Sequence, residues 1–173
     1  MIKLKIISIY VILIFSISLS FAQNKQNLVT KKVNYDGFVT LSDSLRTYRE
    51  ARLIDEATFN IYRLESNTII LDTRSKKAFD EIHIKGAIHL NFSDFTEANL
   101  KSIIPDNKTR ILIYCNNNFE SQKPSLFDKS VRLALNIPTF INLYGYDYKN
   151  IYELEDYLKE EETIIPLITN DKK

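Results

Sequence analysis

Three short runs of apolar residues, separated by longer segments with helical spacing, restrict the fold of this chain more than any other feature. The runs are Thr68–Leu71, Arg110–Tyr114 and Thr139–Leu143. Such runs, rich in β-branched residues, are typical of buried strands. Strands that alternate with helices predict an α/β fold in which a central parallel sheet carries helices on both faces. We therefore expect the three runs to be parallel neighbours in one sheet.

Short polar residues mark the expected helix starts in the first half of the chain. We expect one helix to begin at Ser42 or Asp43 and another after Ser75, because such side chains cap the first helical turn. The spacing of aromatic residues predicts a helix over 55–63. A further helix is expected over 91–104, where apolar side chains recur on one face.

Prolines and apolar spacing indicate the elements of the second half. After Pro124, the spacing of Phe127 and Val131 predicts a helix with one apolar face. Pro138 is expected to end that helix, because proline cannot continue one. The apolar residues over 151–158 predict a last helix.

The single cysteine, Cys115, directly follows the run Arg110–Tyr114. Open α/β sheets bind their ligands beyond the carboxyl ends of the strands, so a site is expected at this position. Backbone N–H groups in the following loop favour negative charge, and we expect them to lower the pKa of the thiol and speed its alkylation. The alternative is an inert cysteine in the core, since cysteine is among the most often buried residues.

Three motifs occur in a fixed order: Asp72-Thr-Arg74, then His83-Ile-Lys-Gly-Ala-Ile-His-Leu90, then Ile-Tyr-Cys115. With them, the sequence resembles the rhodanese-like family over roughly residues 52–158. The resemblance implies a small α/β domain with a central parallel sheet and no cofactor. It also implies that Cys115 is the catalytic residue, which accepts a sulfane sulfur as a persulfide and passes it to a nucleophile. Asp72, Arg74 and His83 are then expected to support the loop.

The loop after the cysteine differs from the loops of family sulfurtransferases, which commonly carry glycine and a basic residue. The residues expected to contact a substrate are Asn116, Asn117, Asn118, Phe119, Glu120 and Ser121. Asparagine tolerates left-handed backbone better than most residues, so the three asparagines are expected to replace the glycine. The carboxylate of Glu120 would repel an anionic donor, and we therefore expect poor turnover of thiosulfate.

Three functions are compatible with these residues. The first is a sulfurtransferase or persulfide carrier, whose partners are a small sulfur donor and a thiol acceptor. The second is a non-catalytic module that binds a protein partner or a small thiol. The third, a phosphatase, needs an arginine six residues after the cysteine to clamp phosphate, and residue 121 is serine. His83, His89 and Cys115 match no standard zinc spacing, so no metal is expected.

The first 22 residues have the features of a secretory signal peptide. Lys3 and Lys5 precede an apolar stretch, and Ser20-Phe-Ala22 places small residues where a signal peptidase reads them. The apolar stretch, residues 6–21, is shorter than the roughly 20 residues that a membrane-spanning helix needs. We therefore expect an exported protein, periplasmic or secreted, without a membrane span after cleavage.

The rest of the chain is expected to be one domain with short flanking segments. We assign residues 23–40 to a polar leader, 41–165 to the rhodanese-like domain and 166–173 to a tail. Removal of residues 1–22, which carry two lysines and no acid, changes the formal charge from +1 to −1. A charge so close to zero gives no electrostatic reason to expect binding to nucleic acid.

The signal peptide yields the first prediction. Because the small-residue site ends at Ala22, the exported protein should begin at Gln23. N-terminal sequencing of the exported form measures this directly. A chain that still begins at Met1 would contradict the prediction.

Overall fold

The computed structural model describes residues 32–104, 106–120 and 124–170. The predicted signal peptide, the first part of the leader, Ser121 and the last three residues lie outside these ranges. The chain divides into two compact units, residues 1–40 and 41–173. In the described part, no helix is both long and apolar enough to span a membrane.

The first described helix begins earlier than expected. Helix α1 (Tyr35–Ser44) starts after Asn34, whose side-chain oxygen accepts a hydrogen bond from the Gly37 N–H at 2.9 Å. The prediction of a start at Ser42 or Asp43 is therefore wrong, because Asn34 supplies the cap eight or nine residues upstream. A short second helix, α2 (Arg46–Glu50), follows.

The central sheet is parallel throughout, as predicted. Its strands are β1 (Leu53–Ile54), β2 (Thr68–Asp72), β4 (Ile88–His89), β5 (Arg110–Tyr114) and β6 (Ile151–Leu154). They lie in the order β1-β6-β5-β2-β4, with β5 in the middle. Strands β2 and β5 pair in parallel from Thr68 opposite Arg110 to Asp72 opposite Tyr114. A separate antiparallel pair joins β3 (Ile82–Ile84) to β7 (Leu167–Thr169).

Alternate residues of the sheet pack into two cores, one on each face. One core contains Ile70, Leu112 and Tyr114 together with Phe59 of helix α3 (Glu56–Tyr62) and Ala78 of helix α4 (Lys76–Glu81). The other core contains Leu71, Ile111 and Ile113 with side chains of helices α5 (Glu97–Ile103) and α6 (Asn136–Gly145). The alternation follows from the two-residue period of a strand. The predicted α/β fold, with helices on both faces of a parallel sheet, is thus confirmed.

Side-chain caps begin two of the helices, and the one at Ser75 was predicted. Asp55 accepts a hydrogen bond from the Thr58 N–H at the start of α3, and Ser75 accepts one from the Ala78 N–H at the start of α4. The expected single helix over 91–104 is instead a 3-10 turn, Phe92–Asp94, followed by α5. The break occurs because Thr96 caps α5 through the Asn99 N–H.

The helix predicted after Pro124 is absent. This segment forms two 3-10 turns, Pro124–Leu126 and Val131–Leu133, within irregular chain. Phe127 is 56% exposed and Val131 80% exposed, so their spacing does not mark a buried face. Asparagine side chains of the cysteine loop bind the backbone of this segment and hold it in a non-helical path.

The run Thr139–Leu143 is not a strand but part of helix α6, so this prediction is wrong. A continuous apolar run fits a buried helix as well as a buried strand. Pro138 does not end a helix but lies in the first turn of α6, where a backbone N–H needs no helical acceptor. The Thr139 hydroxyl contacts that of Thr73 at 2.9 Å, which joins α6 to the end of β2.

The last predicted helix is also wrong, because residues 151–154 form strand β6. Glu153 is a buried acid on this strand, 5% exposed. Its carboxylate binds the Arg49 guanidinium at 2.8 Å and 2.5 Å, from helix α2. The two residues are 104 positions apart, so the spacing of apolar residues in a short window of sequence does not reveal this ion pair.

This ion pair provides a test of the packing between α2 and β6. Arg49→Gln should destabilise the fold by roughly 1–3 kcal/mol at pH 7, because it leaves a buried carboxylate without its charged donor. Burial raises the pKa of Glu153 and Arg49 lowers it, so the variant's pKa rises further. A neutral Glu153 costs less to bury, so the variant's deficit should shrink as the pH falls through that raised pKa.

Urea denaturation at several pH values measures the effect. Arg46→Gln is the matched control, because Arg46 pairs with Asp43 at the surface, where both side chains are more than 70% exposed. Equal stability of the Arg49 and Arg46 variants at pH 7 would show that the buried pair contributes nothing.

Candidate functional site

Cys115 lies directly beyond β5, the middle strand of the central sheet. Its backbone is extended, and a 3-10 turn, Asn116–Asn118, follows it. The residue is only 1% exposed. The thiol therefore lies at the carboxyl edge of the sheet, where the loop that follows covers it.

The three asparagines after the cysteine fix the loop through their side chains. The Asn118 oxygen accepts a hydrogen bond from the Cys115 N–H at 2.9 Å, and its amide donates to the carbonyls of Leu154 and Asp156. Asn116 and Asn117 donate to the backbone carbonyls of residues 125 and 129. Within the described ranges, Asp147 is the one non-glycine residue with positive φ, so the asparagines do not act as left-handed glycine substitutes.

The other predicted substrate contacts lie in different environments. Phe119 is 2% exposed and packs edge-on against Tyr114 at 5.5 Å between ring centroids, so it belongs to the core. Glu120 is exposed, and its backbone N–H binds the Leu158 carbonyl. Ser121 lies outside the described residues.

Asp72 and Arg74 form a buried ion pair at the end of β2. The Arg74 guanidinium contacts both Asp72 oxygens, at 3.0 Å and 2.6 Å, and also binds the Ile82 carbonyl. The Tyr114 hydroxyl donates to the same carboxylate at 2.6 Å. Burial, followed by the nearby Asp72 charge, raises the pKa of Tyr114 well above its usual value. This cluster joins β2, β3 and β5 behind the cysteine loop.

The two histidines lie beside this cluster. The His83 ring stacks on Phe79 with 4.0 Å between centroids, and its Nδ1 contacts the Phe79 carbonyl. Nε2 of His89 contacts the Arg74 carbonyl at 2.9 Å. Neither ring lines the cavities at Cys115. Among the described residues, no three His, Cys, Asp or Glu side chains come together as metal ligands.

Burial raises the pKa of the Cys115 thiol, which reverses the expectation of a lowered value. The backbone N–H groups of Asn136, Asn117 and Leu135 act in the opposite direction. The carboxylate that further raises this pKa belongs to Glu153. Only one of these three N–H groups, that of Asn117, belongs to the loop after the cysteine. The other two belong to the start of helix α6, which the sequence analysis did not connect with the site.

Two cavities meet at Cys115. The larger, about 230 Å³, is lined by Arg49, Asn136, Glu153 and Glu155 among others. The smaller, about 170 Å³, is lined by Arg74, Asn116, Asn117 and Lys129 among others. Cys115 is thus 1% exposed to bulk solvent and yet lines both cavities.

Sequence reasoning missed Arg49, Asn136 and Glu153 as residues of the site. Arg49 lies on a short helix some 66 positions before the cysteine. Asn136 begins helix α6, in which the run Thr139–Leu143 was expected to be a strand, and Glu153 lies on strand β6, where a helix was predicted. A lone acid within the apolar stretch Ile151–Leu154 is the one local signal for a buried functional carboxylate.

A small α/β domain with a cysteine at the end of its central strand is the class of protein that this geometry defines. The family model for the Rhodanese-like domain matches residues 61–160, more than half of the chain. The protein therefore belongs to the rhodanese-like family. A search of curated proteins found no match.

Several solved structures are similar to this chain. The Rhodanese-like domain of the Alr3790 protein from Anabaena sp. is 16% identical, with 70% of this chain and 83% of that chain covered and a TM-score of 0.49. Protein hp1203 from Helicobacter pylori is 18% identical, with coverages of 72% and 98% and a TM-score of 0.46. A rhodanese with anions from E. coli is 14% identical, with coverages of 60% and 99% and a TM-score of 0.41.

The raised pKa of the thiol predicts a particular pH profile for alkylation. Reaction of Cys115 with iodoacetamide should show an inflection above that of a free thiol, about 8.5, because only the thiolate reacts. Glu153→Gln should lower the inflection, since it removes a carboxylate that disfavours the thiolate. The rate is measured against pH by mass spectrometry of the folded protein.

Glu120→Gln is the matched control, because it removes an exposed carboxylate from the same loop. Its profile should coincide with that of the wild type. A wild-type inflection below 8.5 would show that the backbone N–H groups outweigh burial.

Proposed function

We propose that this protein is a persulfide carrier in which Cys115 takes up one sulfane sulfur and passes it to a thiol. The observation that carries the proposal is the position of the thiol, between two cavities and beside the N–H groups of Asn117, Leu135 and Asn136. These N–H groups suit an anionic sulfur, whether thiolate or persulfide. We also propose that the protein acts outside the cytoplasm, in the periplasm or as a secreted protein.

The uptake step requires no oxidant. The Cys115 thiolate attacks the outer sulfur of an organic persulfide, a bond forms between the two sulfurs, and the donor's own sulfur–sulfur bond breaks. The electron pair of that bond stays on the donor, which departs as a thiolate. Because the chain has one cysteine, no internal thiol can displace the bound sulfur as a disulfide.

The charges around the thiol favour an organic persulfide over thiosulfate as donor. The Arg49 guanidinium is bound by Glu153, and that of Arg74 by Asp72. Lys129 is exposed at the edge of the smaller cavity. Neither of the two arginines that line the cavities is therefore available to bind a doubly charged anion with both of its N–H pairs.

A non-catalytic binding module is the second candidate, and one observation favours it. Burial raises the pKa of Cys115, so little of the thiol is ionised at neutral pH. A cysteine that stays protonated and unreactive would only line a binding cavity, without forming a covalent bond to the ligand. The two candidates differ in whether Cys115 gains sulfur.

The proposal predicts a mass increase of about 32 on Cys115 after incubation with cysteine persulfide, as one sulfur is added. Cys115→Ser should gain no mass and should still fold, with a lower urea midpoint than the wild type, because a hydroxyl replaces a buried thiol. Intact-protein and peptide mass spectrometry measure the gain. Thiosulfate should support cyanide turnover more slowly than about 1 per second, the low end of typical enzymes.

Absence of the mass increase in a protein that is correctly folded would overturn the persulfide proposal in favour of the binding module. Fast thiosulfate turnover would instead show that the arginine pairs open in the presence of the anion.

A further inference from the structure

The larger cavity at Cys115 has an acidic lining. It contains one arginine, Arg49, and two glutamates, Glu153 and Glu155. Arg49 and Glu153 neutralise each other through a two-point contact, and Glu155 is exposed at the cavity. The net formal charge of the lining is therefore negative. The smaller cavity, by contrast, contains Arg74 and Lys129 and no acid.

A buried hydrogen-bond acceptor also lies in the lining of the larger cavity. Asn136 is 4% exposed, and its side-chain oxygen has no hydrogen-bond partner within the described ranges. An unsatisfied buried oxygen costs free energy unless a donor reaches it. Asn136 is one of the residues that line the larger cavity.

The orientation of the Asn136 amide is fixed by its neighbours. The Cys115 N–H can only donate, so the atom of Asn118 that faces it must be the oxygen. The Asn136 side chain lies 3.1 Å from that same oxygen. Because an oxygen can only accept, the group of Asn136 that contacts it must be the NH₂ group. A hydrogen bond from the Asn136 side chain also lowers the pKa of Glu153. A donor has this effect because it stabilises the carboxylate, so this contact too is made by the NH₂ group. The free atom of Asn136 is therefore an acceptor.

We propose that the larger cavity is the subsite of the sulfur acceptor, and that it takes a small thiol carrying an ammonium group. The ammonium group would donate to the Asn136 oxygen and lie near the carboxylates of Glu153 and Glu155. A cation meets an acidic lining and a free acceptor there, whereas an anion meets repulsion. This assignment rests on the proposed persulfide function.

The transfer step is balanced without another reactant. The acceptor thiolate attacks the outer sulfur of the Cys115 persulfide, and a new sulfur–sulfur bond forms. The bond between that sulfur and Cys115 Sγ breaks, and its electron pair remains on Sγ. The resulting Cys115 thiolate is the group that the N–H groups of Asn117, Leu135 and Asn136 stabilise.

Charged methanethiosulfonate reagents test the cavity independently of sulfur transfer. The 2-aminoethyl, 2-sulfonatoethyl and methyl reagents each form a mixed disulfide with Cys115 and release methanesulfinate. Glu155→Gln should slow the 2-aminoethyl reagent by about two- to five-fold, speed the 2-sulfonatoethyl reagent and leave the methyl reagent unchanged. The ratio of variant to wild-type rate for each reagent cancels its intrinsic reactivity.

Glu97→Gln is the matched control, because it removes an exposed carboxylate that lines neither cavity. Its rates with all three reagents should equal those of the wild type. A second measurement loads Cys115 with sulfur and follows its discharge by cysteamine and by uncharged 2-mercaptoethanol. Glu155→Gln should slow the discharge by cysteamine and leave the discharge by 2-mercaptoethanol unchanged.

The outcomes separate this inference from the proposed function. If Cys115 takes up sulfur but Glu155→Gln changes neither labelling nor discharge, the acceptor subsite is wrong and the persulfide function stands. If labelling depends on charge but Cys115 takes up no sulfur, the persulfide function is overturned and the acceptor role falls with it. Equal effects of the Glu155 and Glu97 variants would also overturn the subsite.

Discussion

The hydrogen bonds of one buried side chain, Asn118, hold the cysteine loop to three parts of the domain. Its oxygen accepts from the Cys115 N–H and from Asn136 at the start of α6. Its amide donates to the carbonyl of Leu154, the last residue of β6, and to that of Asp156 just after the strand. All four bonds are made by one side chain that is 4% exposed. The direction of the Asn136 amide, and with it the position of its free oxygen, depends on this arrangement.

The opposite side of the loop rests on the buried ion pair of Asp72 and Arg74. The pair is satisfied by the Tyr114 hydroxyl and the Ile82 carbonyl, so neither charge is left unbonded in the core. Arg74 also approaches the Asn116 side chain, at 3.4 Å. The cysteine loop is thus held on one side by hydrogen bonds of the Asn118 side-chain amide. On the other side it rests on the ion pair between Asp72 and Arg74. The chain achieves this without a glycine in the loop.

The elements that the sequence predicted correctly are those whose signals are local. β2 and β5 are apolar runs bounded by polar residues, and the starts of α3 and α4 carry capping side chains. The position of Cys115 at the end of β5 follows from the same reasoning.

The errors occur where a distant partner decides the structure. The run Thr139–Leu143 became a helix because α6 packs against the sheet, and strand β6 was missed because Glu153 is neutralised by an arginine 104 positions away. The pKa of Cys115 was expected to fall because the loop amides could be seen in the sequence. The burial that outweighs them depends on the whole fold.

The burial of Cys115 has a consequence for a protein with a single cysteine. A disulfide requires two sulfurs about 2.05 Å apart, and at 1% exposure the loop keeps the sulfur of a second folded copy from coming so close. In an oxidising compartment, exposed single cysteines cross-link their proteins into pairs. The same burial that makes Cys115 a weaker acid therefore also keeps its sulfur out of reach of the sulfur of a second folded copy.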